Sequence, residues 1–228
     1  MNNLEVNDLS VEAFPNGIKV YQSLNGYKFT KDAIDLAKFC QIKATDHVLE
    51  LCAGTGVISF YAYSLNNFEK LYLNEIQDYY CEIIKENINL NKLDNAVCLN
   101  GDLNDLNISK FIRKLDVIIC NPPYFKIESK SDKLNEDYSK AIARHEILVT
   151  LEQVIEKASQ LIKEKGRFYL VHLSSRLQEI MTLFKKHKFE CKRIKFLTNK
   201  FFKADIALFE AVYKGKDGVQ ISVEIKHN

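Results

Sequence analysis

Between residues 47 and 120 the chain alternates without a break between short apolar runs and segments of helical character. The strand-like runs are 47–52, 70–74, 96–100 and 116–120, and the helix-forming stretches between them are 56–64, 78–90 and 106–113. Val117-Ile118-Ile119-Cys120 is apolar at consecutive positions rather than at alternate ones. That pattern suits strands covered on both faces, and strict alternation of strand with helix calls for a mostly parallel sheet with helices on either side. The expected fold is therefore α/β.

The flanking segments extend this plan. Residues 1–31 read as an N-terminal extension in which turn signals at Pro15-Asn16-Gly17 and Asn25-Gly26 bracket a short strand, 18–22. A helix is expected at 32–41. Residues 126–140 are charged and poorly periodic, about as long as a loop without its own structure becomes, and such loops are functional lids or disordered segments. A helix over 151–163 has Leu151, Val154, Ile155, Ala158, Leu161 and Ile162 at helical spacing, with Gly166 in the place of a C-cap. A strand (167–172), a helix (176–186) and two strands (191–196, 206–213) follow. With no helix between the last two, they are expected to form an antiparallel hairpin at one sheet edge. Residues 219–225, within the tail 214–228, alternate as an edge strand or a loose end. The whole chain, 1–228, is expected to form one domain.

With 228 residues, 46% hydrophobic and 27% charged, the chain can bury a sizeable core. Met1-Asn2-Asn3-Leu4-Glu5 lacks the basic start and apolar stretch of a signal peptide, and no run approaches the roughly 20 apolar residues of a membrane span. The six cysteines contain no C-x-x-C pair, which argues against a zinc site or disulfide framework. Cys52, Cys98 and Cys120 fall in apolar runs and read as core residues. A cytoplasmic, metal-free monomer is the expectation. Between 185 and 203, eight basic residues (Lys185, Lys186, Lys188, Lys192, Arg193, Lys195, Lys200, Lys203) stand against one acid, Glu190, in a chain whose net charge is only +2. This suggests a basic face for a phosphate backbone, or a solvated surface beside a helix end.

Four motifs carry chemistry. Glu50-Leu51-Cys52-Ala53-Gly54-Thr55-Gly56 closes a strand and opens a helix; its glycines let the backbone turn sharply and approach a ligand. The third glycine of a dinucleotide fingerprint is replaced by Ser59, which disfavours a dinucleotide. Glu75 follows at the spacing of an acid that accepts from ribose hydroxyls, with a helix-capping acid as the plainer reading. Asp102, after the third strand, fits a helix N-cap or a partner for an adenine amino group. The fourth motif, Asn121-Pro122-Pro123-Tyr124, is the most specific. Its prolines hold the backbone extended and remove two donors, so that the Pro122 carbonyl and the Asn121 amide oxygen can both accept from one exocyclic amine. Tyr124 offers a face on which an extruded base stacks.

Asn121–Tyr124 is similar to motif IV of the amino methyltransferases, and Glu50–Gly56 to their motif I. With Gly26-Tyr27-Lys28-Phe29-Thr30-Lys31-Asp32 upstream and Ala143-Arg144-His145-Glu146 downstream, residues 14–213 resemble the bacterial tRNA1(Val) (adenine-37-N6)-methyltransferase family. The resemblance implies a Rossmann-like seven-stranded mixed sheet of order 3-2-1-4-5-7-6, S-adenosylmethionine as methyl donor and tRNA as partner. It implies cofactor contacts from Tyr27, Phe29, Thr30, Asp32, Glu50, Ala53, Gly54, Gly56, Glu75, Ile76, Asp102, Leu103 and Asn121. Asn121, Pro122, Pro123 and Tyr124 would hold the target base; Tyr124, Phe125, Arg144, His145, Lys192, Arg193 and Lys195 would meet RNA. Glu50 stands where aspartate is commoner in motif I. The alternatives are a glutamine methyltransferase of release factors, which typically carries a helical domain before motif I, an rRNA or DNA amino methyltransferase, and a noncatalytic RNA-binding module. The sulfonium methyl is already activated, so no general base is assigned to His145.

Overall fold

The computed structural model describes residues 9–24, 26, 29–125, 142, 146–199, 201 and 203–225. Among these residues the elements run in the order β1 (Leu9–Ala13), β2 (Lys19–Ser23), α1 (Lys31–Phe39), β3 (His47–Leu51), α2 (Val57–Leu65), β4 (Lys70–Glu75), α3 (Asp78–Leu90), β5 (Ala96–Asn100), β6 (Leu115–Cys120), α4 (Leu151–Leu161), β7 (Ile162–Leu173), α5 (Leu177–Lys186), β8 (Phe189–Thr198), β9 (Ala204–Tyr213) and β10 (Gln220–Ile225). The main sheet has the order β10-β8-β9-β7-β6-β3-β4-β5. β9 runs antiparallel between β7 and β8, and the remaining pairings are parallel. Counted from β3, this is the expected order 3-2-1-4-5-7-6 with an eighth strand, β10, added at one edge. Part of the expected tail, 214–228, is therefore an edge strand.

The consecutive apolar runs are central strands: β3 and β6 are buried at every position. Each fully buried Leu, Ile or Phe contributes about 1.5–3 kcal/mol from apolar transfer. One face packs against α4 and α5 through Leu151, Val154, Ile155, Phe168 and Phe184. The other packs against α1 and α2 through Leu36, Val57, Phe60, Val117 and Tyr169. Thr150 and Gln153 form a reciprocal capping box that starts α4.

The expected helix at 106–113 is instead two single 3-10 turns, Leu103–Asp105 and Ile108–Lys110. Asp102 and Asn107 accept hydrogen bonds from Asn104 N–H (2.8 Å) and Ser109 N–H (3.1 Å), and such local side-chain bonds compete with a continuous helix. Gly166 is not a helix cap. α4 ends at Leu161 and the chain enters β7 at once, with Lys165 at φ 60° and a register shift between the Leu115–Ile162 and Val117–Arg167 pairings. A Cβ at Gly166 would lie 2.5 Å from Ile162 Cγ1, so this irregularity excludes a side chain there. β1, which the sequence did not suggest, pairs with β2. The far edge of β2 is met by side chains of α3 and the turn after it. Asn87 Oδ1 accepts from Tyr21 N–H (2.6 Å) and Asn91 Oδ1 from Lys19 N–H (2.8 Å), while both amides donate back to the Tyr21 and Lys19 carbonyls. The loop expected at 126–140 lies outside the described residues.

Candidate methyl-transfer site

The carboxyl ends of β3, β4, β5 and β6 open onto a cavity of about 330 Å³, inside the range of small-molecule sites. After β3, Cys52 adopts φ 55°, uncommon for a residue with a side chain, and Gly54 and Gly56 follow at φ 55° and 79°. The turn is closed by Ala53 N–H donating to Asn74 O (2.9 Å) and Gly56 N–H to Ala53 O (2.7 Å). A Cβ on Gly54 would meet nothing within 4 Å, so this backbone stands open to the cavity. Gly56 differs. A Cβ there would lie 2.6 Å from Leu73 and 2.7 Å from Phe60, and Gly56 does not line the cavity. Packing and turn geometry both require a glycine at this position.

Glu75 is held by backbone. Oε2 accepts from Gly54 N–H (2.8 Å), and Oε1 from Ile76 N–H (3.0 Å) and Gln77 N–H (2.9 Å). These bonds fix the carboxyl against the glycine loop and leave a lone pair of Oε2 for another donor. Burial raises its pKa, outweighing the lowering by these bonds. Glu50, almost fully buried, accepts from Ser59 N–H (3.0 Å) and lines the cavity floor. Burial pushes its carboxyl up to about 8, with hydrogen bonds from Ser59 pulling the other way, so near neutral pH it is mostly protonated. Asp102 caps the following turn and also lines the cavity. Gly101, at φ 139°, likewise leaves a would-be Cβ in open space.

The opposite wall is Asn121, Pro122, Pro123, Tyr124 and Phe125. The prolines are buried, Asn121 and Tyr124 half-buried and Phe125 exposed. Phe29, Thr30, Asp32, Ala53, Ile76 and Leu103 complete the expected residues that reach the cavity. Tyr27, Arg144 and His145 lie outside the described residues. Lys192, Arg193 and Lys195, expected to meet RNA, are each engaged within the fold. Lys192 Nζ donates to the Lys216 and Asp217 carbonyls (3.0 and 3.2 Å), and Lys195 pairs with Glu224 on β10 (3.0 Å). Arg193 pairs with Glu210 on the neighbouring strand, donates to Phe39 O (2.9 Å) and stacks 4.2 Å from the Phe39 ring centroid. Lys185 and Lys186 also meet acids, Glu190 and Glu152. Linear charge density missed these partners because they come mostly from other elements.

Several cavity residues escaped the sequence reading. Asn74, next to Glu75, donates to Leu99 O (3.0 Å) and Gly101 O (2.9 Å), tying β4 to the loop after β5. Thr55 accepts from Gln22 (2.6 Å) of the N-terminal hairpin. Neither carries a local signal beyond its place at a strand end. β8 runs parallel to β7, so the turn after it lies at the same sheet edge as Tyr124; there Phe201 is 78% exposed and the Lys203 side chain 75% exposed. Among the described residues, no helix is long and apolar enough to cross a membrane, and no cluster of three or more His, Cys, Asp or Glu is placed to hold a metal.

This sheet order, with a glycine turn and an acid at consecutive strand ends, is the Rossmann-like fold of class I methyltransferases. A predicted O-methyltransferase from Agrobacterium tumefaciens shares it with a TM-score of 0.66 at 16% identity, covering 86% of this chain and 87% of that one. A tRNA m1G37 methyltransferase from M. jannaschii shares it at 0.63 and 18%, covering 93% and 59%. The chain belongs to the methyltransferase small domain family, whose model matches residues 29–201. Among curated relatives it is 29% identical over 137 residues to a tRNA1(Val) (adenine(37)-N6)-methyltransferase from Porphyromonas gingivalis, covering 59% of this chain and 52% of the relative. It is 30% identical over 128 residues to a release factor glutamine methyltransferase from Mycoplasma mycoides, covering 54% and 45%. The chain spans about half the length of these relatives.

Proposed function

We propose that this chain transfers a methyl group from S-adenosylmethionine to the N6 amine of an adenosine in tRNA, with adenosine 37 of tRNA1(Val) as the particular target. The observation that carries this reading is the placement of Asn121-Pro122-Pro123-Tyr124 across one cavity from Gly54, Glu75 and Asp102. The cavity fits the cofactor. Gly54 and Gly101 leave open space where side chains would stand, and Glu75 is oriented with an acceptor to spare for ribose hydroxyls. Asp102 and Leu103 would take the adenine, and Ala53 and Gly54 the amino-acid end, with Phe29, Thr30 and Asp32 along the wall.

When bound, the cofactor supplies a methyl already activated by its sulfonium. The protein's task is then alignment, which in well-oriented systems accounts for several kcal/mol of a barrier. Asn121 and the Pro122 carbonyl would accept the two N–H groups of the target amine and leave its lone pair free to attack. Tyr124 stacks on the base. No side chain needs to remove a proton before attack, since the methylated amine is far more acidic than its precursor. Phe201 and Lys203 offer a stacking face and a cation for RNA at the same sheet edge. A glutamine side chain presents the same two N–H groups, and the M. mycoides relative keeps that second reading in view.

The test is label transfer from methyl-labelled S-adenosylmethionine to unmodified total tRNA, a release-factor protein and duplex DNA side by side. N6-methyladenosine in tRNA, mapped to one species, is the expected result. Label in the protein alone would replace this reading with glutamine methylation.

A further inference from the structure

Asn121-Pro122-Pro123-Tyr124 contains two residues without an N–H, so the loop has little backbone hydrogen bonding of its own. Its anchor comes from the turn between β7 and α5. Arg176 Nη1 donates to the Tyr124 carbonyl (3.2 Å) and to Glu146 Oε1 (2.5 Å). Both partners of this ion pair are nearly buried, with side chains 10% and 8% exposed. Glu146 grips the same loop from the other side: its N–H donates to the Phe125 carbonyl (2.8 Å), while its carboxyl also accepts from Leu151 N–H (3.3 Å) at the start of α4. The Tyr124 and Phe125 carbonyls are thus held by one interlocked pair. Behind the Tyr124 ring stands His172, fully buried, with ring centroids 5.1 Å apart. Leu173 N–H donates to its Nδ1 (2.8 Å), and the Arg176 guanidinium lies 3.4 Å from its Nε2.

We propose that Arg176 and Glu146 form a positioning pair that sets the Tyr124 ring for base stacking, so that the pair governs turnover without touching cofactor or base. The proposal rests on the methyl-transfer reading above. The rival role for Arg176 is to hold the first turn of α5 through Glu179, to which Nε and Nη2 donate at 3.0 and 2.8 Å. The two roles separate by substitution. Glu146→Gln weakens the clamp and spares the helix contact, Glu179→Gln does the reverse, and Arg176→Lys keeps the charge but cannot bridge both partners with a planar fork.

The experiment measures kcat, KM for tRNA and Kd for S-adenosylmethionine in these three variants of the full chain. A second arm needs no activity. The sequence contains no tryptophan, so Tyr124→Trp installs a single fluorescent reporter at the ring in question. Glu146→Gln and Arg176→Lys are expected to lower kcat by about 10–100-fold, the loss typical of a misplaced alignment group, with cofactor Kd within about twofold. Glu179→Gln should leave kcat within about threefold of wild type. Acrylamide quenching of the indole reporter should rise in the Glu146→Gln and Arg176→Lys backgrounds and stay constant in Glu179→Gln. Equal loss of kcat in Glu146→Gln and Glu179→Gln, or unchanged quenching on Glu146→Gln, would overturn the clamp. If the wild-type chain methylates nothing, the functional reading falls and the quenching arm alone decides the clamp.

Discussion

The two walls of the cavity are built by different means. On the β3–β4–β5 side the geometry comes from backbone: glycine turns, strand-end carbonyls and three N–H groups converging on Glu75. On the β6–β7 side it comes from side chains reaching across the fold, with Arg176 and Glu146 holding the Tyr124–Phe125 segment. A wall fixed by backbone is rigid and suits a cofactor that is the same in every cycle. A loop pinned by two side chains can be retuned for the acceptor without disturbing the first wall. Substitutions on the two sides should therefore fail in different ways.

The sharpest separation is expected at Asn121. Asn121→Ala removes one of the two proposed acceptors for the amine and should cut turnover by at least about a hundredfold, with cofactor Kd nearly unchanged, as read by single-turnover kinetics and calorimetry. Surviving activity would remove Asn121 from the chemistry and erase the difference between the walls. Glu75→Ala should do the opposite. It strands three backbone N–H groups and loosens the Gly54 turn, so S-adenosylmethionine should bind about 10–100-fold more weakly. A cofactor Kd that did not move would show that the glycine turn holds its shape without Glu75.

This asymmetry also explains what the sequence made legible. The mostly parallel sheet with its antiparallel edge hairpin follows from apolar runs and turn residues, which act over a few positions, whereas the strand order comes only from the family resemblance; Gly54, Glu75, Asp102 and Asn121 announce themselves as strand-end motifs. At Gly56 a glycine demanded by a positive φ and by packing against Leu73 and Phe60 looks, in sequence, the same as one demanded by a ligand. Arg176 and Glu146 lie far apart in sequence, and nothing local marks them as partners, so only the folded chain shows that they meet. The partners of the basic stretch are equally hidden in the sequence: Glu210 and Glu224, which pair with Arg193 and Lys195, belong to the next two strands. The 106–113 helix failed locally, where apolar residues at Leu103, Leu106 and Phe111 mimic a helical stripe that Asn107 interrupts.

Glu50 tests the backbone-built wall by pH. Its folded pKa is raised from an ordinary carboxylate value to about 8, chiefly by burial. Above pH ~4.5 the unfolded chain releases this proton while the folded chain keeps it, so stability falls as pH rises until about 8, by at most about 1.4 kcal/mol per pH unit, and levels off beyond. Glu50→Gln should flatten that slope in denaturant titrations at pH ~5.5, ~7 and ~8.5, retaining a neutral side chain of similar shape. A slope equal to that of wild type would mean that Glu50 is ionised in the folded protein and that its burial is compensated by a partner.

The smallest effects concern the RNA-facing edge, where linear charge and folded charge disagree. Lys192 and Lys195 already donate to carbonyls and to Glu224, and replacing both with Ala removes contacts that RNA would have to compete for. Lys203, exposed and paired with the similarly accessible Asp205, can turn to a phosphate at little cost, since exposed ion pairs are worth about 0–1 kcal/mol. Lys203→Ala is therefore expected to reduce the dependence of tRNA binding on salt by about one counterion (~0.7–0.9 in the logarithmic slope), and Phe201→Ala to weaken binding several-fold with that slope unchanged. The Lys192→Ala, Lys195→Ala double variant should leave the slope at the wild-type value. Filter binding of tRNA at three salt concentrations separates these outcomes. A slope that drops in the double variant and holds in Lys203→Ala would return the RNA to the β8 strand, and would require its ion pairs with β10 to open when the complex forms.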